Sequence, residues 1–425
     1  MTLYRAAILD TPDDPFTGGR LRAELDGGLL VRAGVIVDRG GFADVRRRHP
    51  EEDLQTLDGG LLLPGLVDTH VHYPQVRAIG GLGMPLLEWL ERYALPEEAR
   101  LADPSYAASV ADDFVRSLVR AGTTSALVFG AHFAPATDAL FTRAAATGLR
   151  ITSGLVLSDR EMHDDLLITA DEALQQSRAL ARKWHGTGRA RYAVTPRFSL
   201  SCTDELLAVC GELVREIPDV WFTSHVNENL AEIAQVHEQF AGTYVGSYDA
   251  HGLLGPRSVL AHNVHVSDEE LRLLGDRGAG VAHCPASNCS LGSGLFPLGR
   301  HLAHGVRVAL GTDVGGGTGL SMFKEALQAY FVQQLRGPDG IPLGPVHLLH
   351  LATSAGAALL GLDHVGDLSV GKRFDALWLR GADDSLLQLN LRNASDAEGA
   401  LAKAFALGTD AAVASVWIDG ERLAP

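Results

Sequence analysis

The residues best suited to chemistry in this chain are histidines, seventeen among 425 residues, and several of them close short apolar runs. Leu66-Val67-Asp68-Thr69-His70-Val71-His72 ends in His-x-His. On an extended strand residues two apart share a side, so both imidazoles can face one point and share a metal ion. Taken alone, the pair is equally compatible with two structural histidines. Trp221-Phe222-Thr223-Ser224-His225, Val259-Leu260-Ala261-His262 and Leu310-Gly311-Thr312-Asp313 end in the same manner. Burying that many ionisable groups without a cation is expensive, whereas a bound Zn²⁺ or Fe²⁺ makes the cluster self-consistent. Three imidazoles plus a carboxylate leave a coordination position for water, as catalytic rather than structural sites do. Glu228, three residues past His225, is either a proton carrier at the same place or a solvated carboxylate at a helix start.

The elements that must position these residues follow from the hydrophobic rhythm. Eight apolar runs read as strands: Leu61 to His70, Thr123 to Phe129, Arg150 to Leu155, Arg191 to Thr195, Val220 to His225, Ser258 to His262, Gly280 to His283 and Val306 to Asp313. Helical patterns separate them. Tyr106 to Arg120 stops at Ala121-Gly122, and Ser267-Asp268-Glu269-Glu270 reads as a capping box. Eight strands alternating with helices predict an α/β fold, a (β/α)₈ barrel whose strand C-termini carry the chemistry. Short strands and Gly/Asp turns at both chain ends predict one small β-sandwich beside it. The expected division is 1–62 and 366–425 for the sandwich and 63–365 for the barrel.

Length alone allows either three average domains or one large barrel with a smaller companion. The 46% hydrophobic and 21% charged content is that of a packed globular protein. With 36 basic against 52 acidic residues the formal charge is -16, and no basic run exceeds Arg46 to Arg48, so a nucleic-acid or anionic membrane partner is not expected. No run approaches the ~20 apolar residues of a membrane span, and the first residues lack a signal-peptide pattern, which predicts a cytoplasmic protein. Cys202, Cys210, Cys284 and Cys289 lack Cys-x-x-Cys spacing and read as small buried hydrophobes. Gly315-Gly316-Gly317 lacks a Gly-Lys-Ser/Thr ending and reads as a flexible loop after the last strand. His283 is expected to pack near the site, His132 and His265 stay open, and His49, His163, His185, His301 and His304 are expected to be solvated or capping.

The quoted strand ends, set beside Pro64-Gly65-Leu66-Val67-Asp68-Thr69-His70-Val71-His72-Tyr73-Pro74-Gln75, Thr195-Pro196-Arg197-Phe198-Ser199, Ser224-His225-Val226-Asn227-Glu228-Asn229 and His283-Cys284-Pro285-Ala286-Ser287-Asn288, resemble the amidohydrolase superfamily in its mononuclear deaminase branch. Pro-Gly-x-x-Asp-x-His-x-His is common to the superfamily. Tyr73-Pro74-Gln75, the Thr-Pro-Arg-Phe-Ser segment and Phe374-Asp375-Ala376 resemble its guanine-deaminating members.

The resemblance implies that His70, His72, His225 and Asp313 bind one Zn²⁺, with Fe²⁺ as the alternative. It implies that Glu228 shuttles protons, that His262 polarises the attacking water, and that Asp313 takes part in catalysis as well as binding. Gln75 and Arg197 would hold the polar edge of a small purine, with Phe198 beside the ring. Binuclear relatives bridge two ions through a modified lysine after strand four, but Lys183, Lys324, Lys372 and Lys403, the chain's only lysines, lie elsewhere. One ion per chain is therefore expected. The activity implied is hydrolysis of guanine to xanthine and ammonia, in purine breakdown or salvage, by a homodimer. The competing readings are hydrolysis of a related ring such as a pterin, 8-oxoguanine or a triazine, and an inactive scaffold of the same fold.

Overall fold

Apolar runs too hydrophobic for a one-sided sheet need covering on both faces, and helices supply it. In the computed structural model, which describes residues 1–423, the barrel strands are Leu66–His72, Thr123–Phe129, Arg150–Gly154, Arg191–Pro196, Trp221–Val226, Ser258–His262, Gly280–His283 and Arg307–Leu310. They lie side by side in chain order, every pairing parallel, and the two-residue strand Val156–Leu157 adds to the fourth. The eighth strand closes onto the first just beyond its end: Asp313 N donates to His70 O at 2.8 Å and His72 N to Val314 O at 3.0 Å. Asp68 buckles this seam, accepting Thr312 N at 3.0 Å and Thr312 Oγ1 at 2.6 Å. Burial pushes its carboxyl up to about 7.

The helix Pro104–Arg120 shows how sequence fixes these covers. Asp103 caps it by accepting Ser105 N, Val110, Phe114 and Leu118 form its buried stripe, and Gly122 turns the chain at φ 84°. Burying Phe114 or Leu118 contributes about 1.5–3 kcal/mol each. The Ser267–Glu270 capping box forms as read, on the helix Asp268–Arg277.

The chain ends meet in a seven-stranded sheet, in the order Glu421–Leu423, Val413–Ile418, Ala376–Leu379, Asp53–Pro64, Thr2–Asp10, Arg22–Arg32 and Val35–Gly41. Tyr4 packs its ring 4.9 Å from Phe374 and 5.7 Å from Trp417 in the core beneath. Arg150 of the third barrel strand fastens this sheet to the barrel by gripping Asp375 at 2.7 and 3.0 Å and Asp419 at 2.5 Å.

Two expectations about elements need correction. The run Leu61 to His70 is not one strand: Asp53–Pro64 belongs to the chain-end sheet, Leu66–His72 to the barrel. The break falls at Gly65, where a Cβ would sit 2.3 Å from Thr124 Oγ1, so only glycine fits the pivot. The tail is also not purely strands and turns. Leu386–Arg392 and Ala397–Leu407 are helices, the second Ala/Leu-rich, capped by Asp396 and packing Phe405 5.6 Å from Phe323. Cys202, Cys210 and Cys284 are buried as expected, but Cys289 is exposed. Among the described residues no helix is long and apolar enough to cross a membrane.

Candidate active site

Five side chains from four strand ends converge at the mouth of the barrel. His72 Nε2 lies 3.2 Å from His70 Nε2 and 3.1 Å from His225 Nε2. Asp313 Oδ1 is 3.1 Å from His70 Nε2 and 3.2 Å from His72 Nε2, and Asp313 Oδ2 is 3.7 Å from His262 Nε2. One donor atom each of His70, His225, His262 and Asp313 lies within 4.8 Å of the others. The expected quartet, with His72 in place of His262, is contained in the same cluster. His262 and Asp313 hold positive φ, 72° and 46°, an uncommon conformation for residues with a side chain.

The donor chemistry fits a divalent ion. His225 Nδ1 is 2.5 Å from the carbonyl oxygen of Arg197, so that nitrogen carries the proton and the Nε2 lone pair faces the cluster. The His262 ring is fixed by Nδ1 against Asn288 Oδ1 at 2.9 Å, and although burial works against its charged form, Glu228 and Asp313 raise its pKa, unlike that of His225. Burial pushes His70 down to about 4 and His225 well below the usual imidazole range, so both are neutral, as ligands must be. Burial works against the Asp313 carboxylate, yet hydrogen bonds from His70 and His72 and the charge of His262 hold its pKa well below the ordinary value.

Glu228 follows the fifth strand and is buried, not solvated. Its Oε1 accepts Ser293 Oγ at 3.0 Å, and its Oε2 lies 3.5 Å from His262 Nε2. Burial raises its pKa above the usual carboxylate value, against the pull of His262. A buried carboxyl at this distance from the cluster is placed to give and take a proton.

Gln75, in the turn after strand one, and Arg197, after strand four, meet through Glu98. Arg197 Nη1 donates to both Glu98 oxygens at 2.9 and 2.7 Å, and Gln75 Nε2 donates to Oε1 at 2.6 Å. Burial works to raise the Glu98 pKa, but Arg197 and His132 outweigh it and leave the carboxylate ionised. Gln75, Arg197, Phe198, Glu228, Glu232 and, from the cluster, His72, His225, His262 and Asp313 border one cavity, partly open to solvent, whose other lining is Leu86, Leu87, Trp89, Leu90 and Leu291. Polar groups thus gather beside the cluster in an otherwise apolar pocket.

Every candidate site residue read from the sequence lies in or against this cavity except His70, which sits behind His72 in the cluster. Glu98, Glu232 and Ser293 were not foreseen. Glu232 had a signal, standing one helical turn after Glu228 with Asn229 as N-cap. Its carboxyl is buried, pushed up to about 8, and hydrogen-bonded by Tyr244. Glu98 had none, being far in sequence from both partners. His283 packs flat on Phe296 at 4.2 Å, as expected of a packed histidine. His301 is not solvated: it is fully buried, its Nε2 accepts from Asn263 Nδ2 and its Nδ1 donates to Pro297 O, both at 2.9 Å. The Gly315–Gly317 segment is buried and tightly held, since a Cβ at Gly317 would sit 1.9 Å from Thr312 O and Gly315 N donates to Gln75 Oε1 at 2.9 Å.

This barrel with its His/Asp cluster defines a metal-type hydrolase site, and residues 61–423 match the Amidohydrolase family. Residues 27–51 also match a bacterial imidazolonepropionase-like composite domain. The chain belongs to the amidohydrolase family. Within it, the chain is 54% identical to a probable guanine deaminase of Deinococcus radiodurans, over 99% of this chain and 98% of that protein. Its fold superposes on the E. coli guanine deaminase with a TM-score of 0.96 at 35% identity, covering 100% and 99% of the two chains. The guanine deaminase of C. acetobutylicum, solved with guanine in its active site, gives 0.91 at 27% identity over 100% of both chains.

Proposed function

We propose that this enzyme hydrolyses guanine to xanthine and ammonia, using one Zn²⁺ held by His70, His72, His225 and Asp313. The observation that carries the reading is the single cavity in which Gln75 and Arg197 stand beside both the His/Asp cluster and the raised carboxyl of Glu228. When bound, the ion supplies acidification of water, whose pKa falls from ~15.7 toward ~7 in such sites.

Every other step belongs to the chain. Asp313 accepts the proton that the attacking water loses, and His262, fixed by Asn288, orients that water. Glu228 protonates the purine nitrogen next to the carbon under attack, relieving negative charge as the carbon becomes tetrahedral. The C–N bond then breaks after proton transfer to the amino group, and ammonia leaves. Arg197 supplies fixed donors to the oxo edge, Gln75 an amide, and Phe198 with Trp89 and the leucines covers the ring and excludes water. Free cysteines fit a cytoplasmic setting, and the family resemblance carries a homodimer.

The test is ammonia release from guanine, 8-oxoguanine, adenine, cytosine, a pterin and a triazine assayed in parallel. Guanine should lead adenine by at least about 100-fold, because a ring without an oxo edge leaves the remaining Arg197 donors unpaired. Turnover of another ring with guanine inert contradicts the proposal.

A further inference from the structure

We infer that Glu98, which does not border the cavity, is a positioning residue that orients Gln75 and Arg197 and thereby makes the site select an oxo over an amino group on the ring. The inference rests on the reading of those two residues as substrate contacts. Glu98 is carried by the short helical segment Leu95–Ala99 and is only 3% exposed. It joins the pair by accepting Arg197 Nη1 on both oxygens and Gln75 Nε2 on one, and His132 Nε2 lies 3.2 Å from the second.

Gln75 is gripped at both ends of its amide. Nε2 gives one hydrogen to Glu98, and Oε1 accepts Gly315 N at 2.9 Å. Turning the amide over would set its oxygen against the carboxylate and its NH₂ against an N–H, so a single orientation survives. Arg197 commits Nη1 to Glu98, which leaves Nε and Nη2 for a ligand. What the pair can present is therefore rich in donors: the guanidinium N–H groups and the second amide hydrogen. Such an edge accepts a ring oxygen, whereas an exocyclic amine in the same place would set donor against donor. A carboxylate serving only to neutralise Arg197 would not need to hold Gln75 as well. The bridge ties the amide and the guanidinium to one anion.

The test compares metal-loaded wild type, Glu98→Gln and Glu98→Asp on guanine and on 2,6-diaminopurine, in which an amino group replaces the oxo group and the adjacent ring nitrogen loses its proton. Metal content and melting temperature are read on each protein. In Glu98→Gln the KM for guanine should rise roughly 10- to 100-fold with kcat changed far less, as expected for loss of charge-assisted hydrogen bonding. Its preference for guanine over 2,6-diaminopurine should shrink by about tenfold or more. Glu98→Asp keeps the charge and should recover part of both. A folded, metal-loaded Glu98→Gln with unchanged KM and preference overturns the inference. If Glu98→Gln does not fold, the same comparison in Glu98→Asp decides, and failure of both to fold makes Glu98 a folding residue only. Should wild type act on a different ring and not on guanine, the substrate reading fails separately, and the KM effect of Glu98→Gln on that ring still tests the positioning role.

Discussion

His225 is held by Arg197 through a main-chain atom: Nδ1 of the histidine lies 2.5 Å from the arginine's carbonyl oxygen, while the guanidinium of the same arginine reaches Glu98. One residue thus orients a cluster imidazole with its backbone and faces the substrate cavity with its side chain.

Arg197→Ala separates those two duties. The carbonyl persists, so metal content should match wild type. Guanine kcat/KM should fall roughly 10- to 100-fold or more with the loss of charge-assisted bonds. Glu98 is left buried without its cation, so the folded state should lose about 3–5 kcal/mol in denaturant titration. Loss of metal together with activity would show that the side chain, not the carbonyl, supports His225.

Glu228→Gln keeps the shape and the Ser293 contact but removes the exchangeable proton. Metal content should stay at the wild-type level while kcat falls by about 10²–10⁴. Retained turnover would remove Glu228 from the proton path.

Much of this site was legible because it is written in short stretches. His70 and His72 share one strand, and His225, His262 and Asp313 end others, so strand periodicity and barrel geometry were enough to gather them, whereas Glu228 fitted a solvated carboxylate equally well until the family resemblance was added. Glu98 was illegible because its meaning lies in Gln75 and Arg197, which the fold brings to it from two other strand ends. The split of Leu61 to His70 was illegible for a related reason: Gly65 breaks the run because of Thr124, a residue on the next barrel strand. The helices after Leu379 are short, and the second is positioned by packing Phe405 on Phe323 of the helix Met322–Leu335, a contact distant in sequence.

Glu232 gives a pH signature. Its folded pKa of about 8 lies above the ordinary value of 4.5, so the folded state holds a proton that the unfolded chain releases. Stability from this group is intact below about 4.5 and declines as pH rises toward about 8, with a slope of at most about 1.4 kcal/mol per pH unit. Glu232→Gln, a permanent stand-in for the neutral acid, should lose less stability between pH 5 and pH 8 than wild type. Equal losses in chemical denaturation would assign the slope to other groups.

Gly317→Ala tests the glycine segment as a built part of the site. The new Cβ would meet Thr312 O, forcing the turn that carries Asp313 to shift. The variant should be about 1–3 kcal/mol less stable and bind metal more weakly than wild type. Wild-type metal affinity would show that the turn yields without moving Asp313.

The most direct measurement is a titration of metal-stripped protein with Zn²⁺ while xanthine formation from guanine is followed. Activity should appear in proportion to added ion and level off at about one equivalent per chain, in keeping with one His/Asp cluster among the described residues and no lysine near the end of strand four. A plateau that requires two equivalents, or no xanthine at any loading, would contradict it.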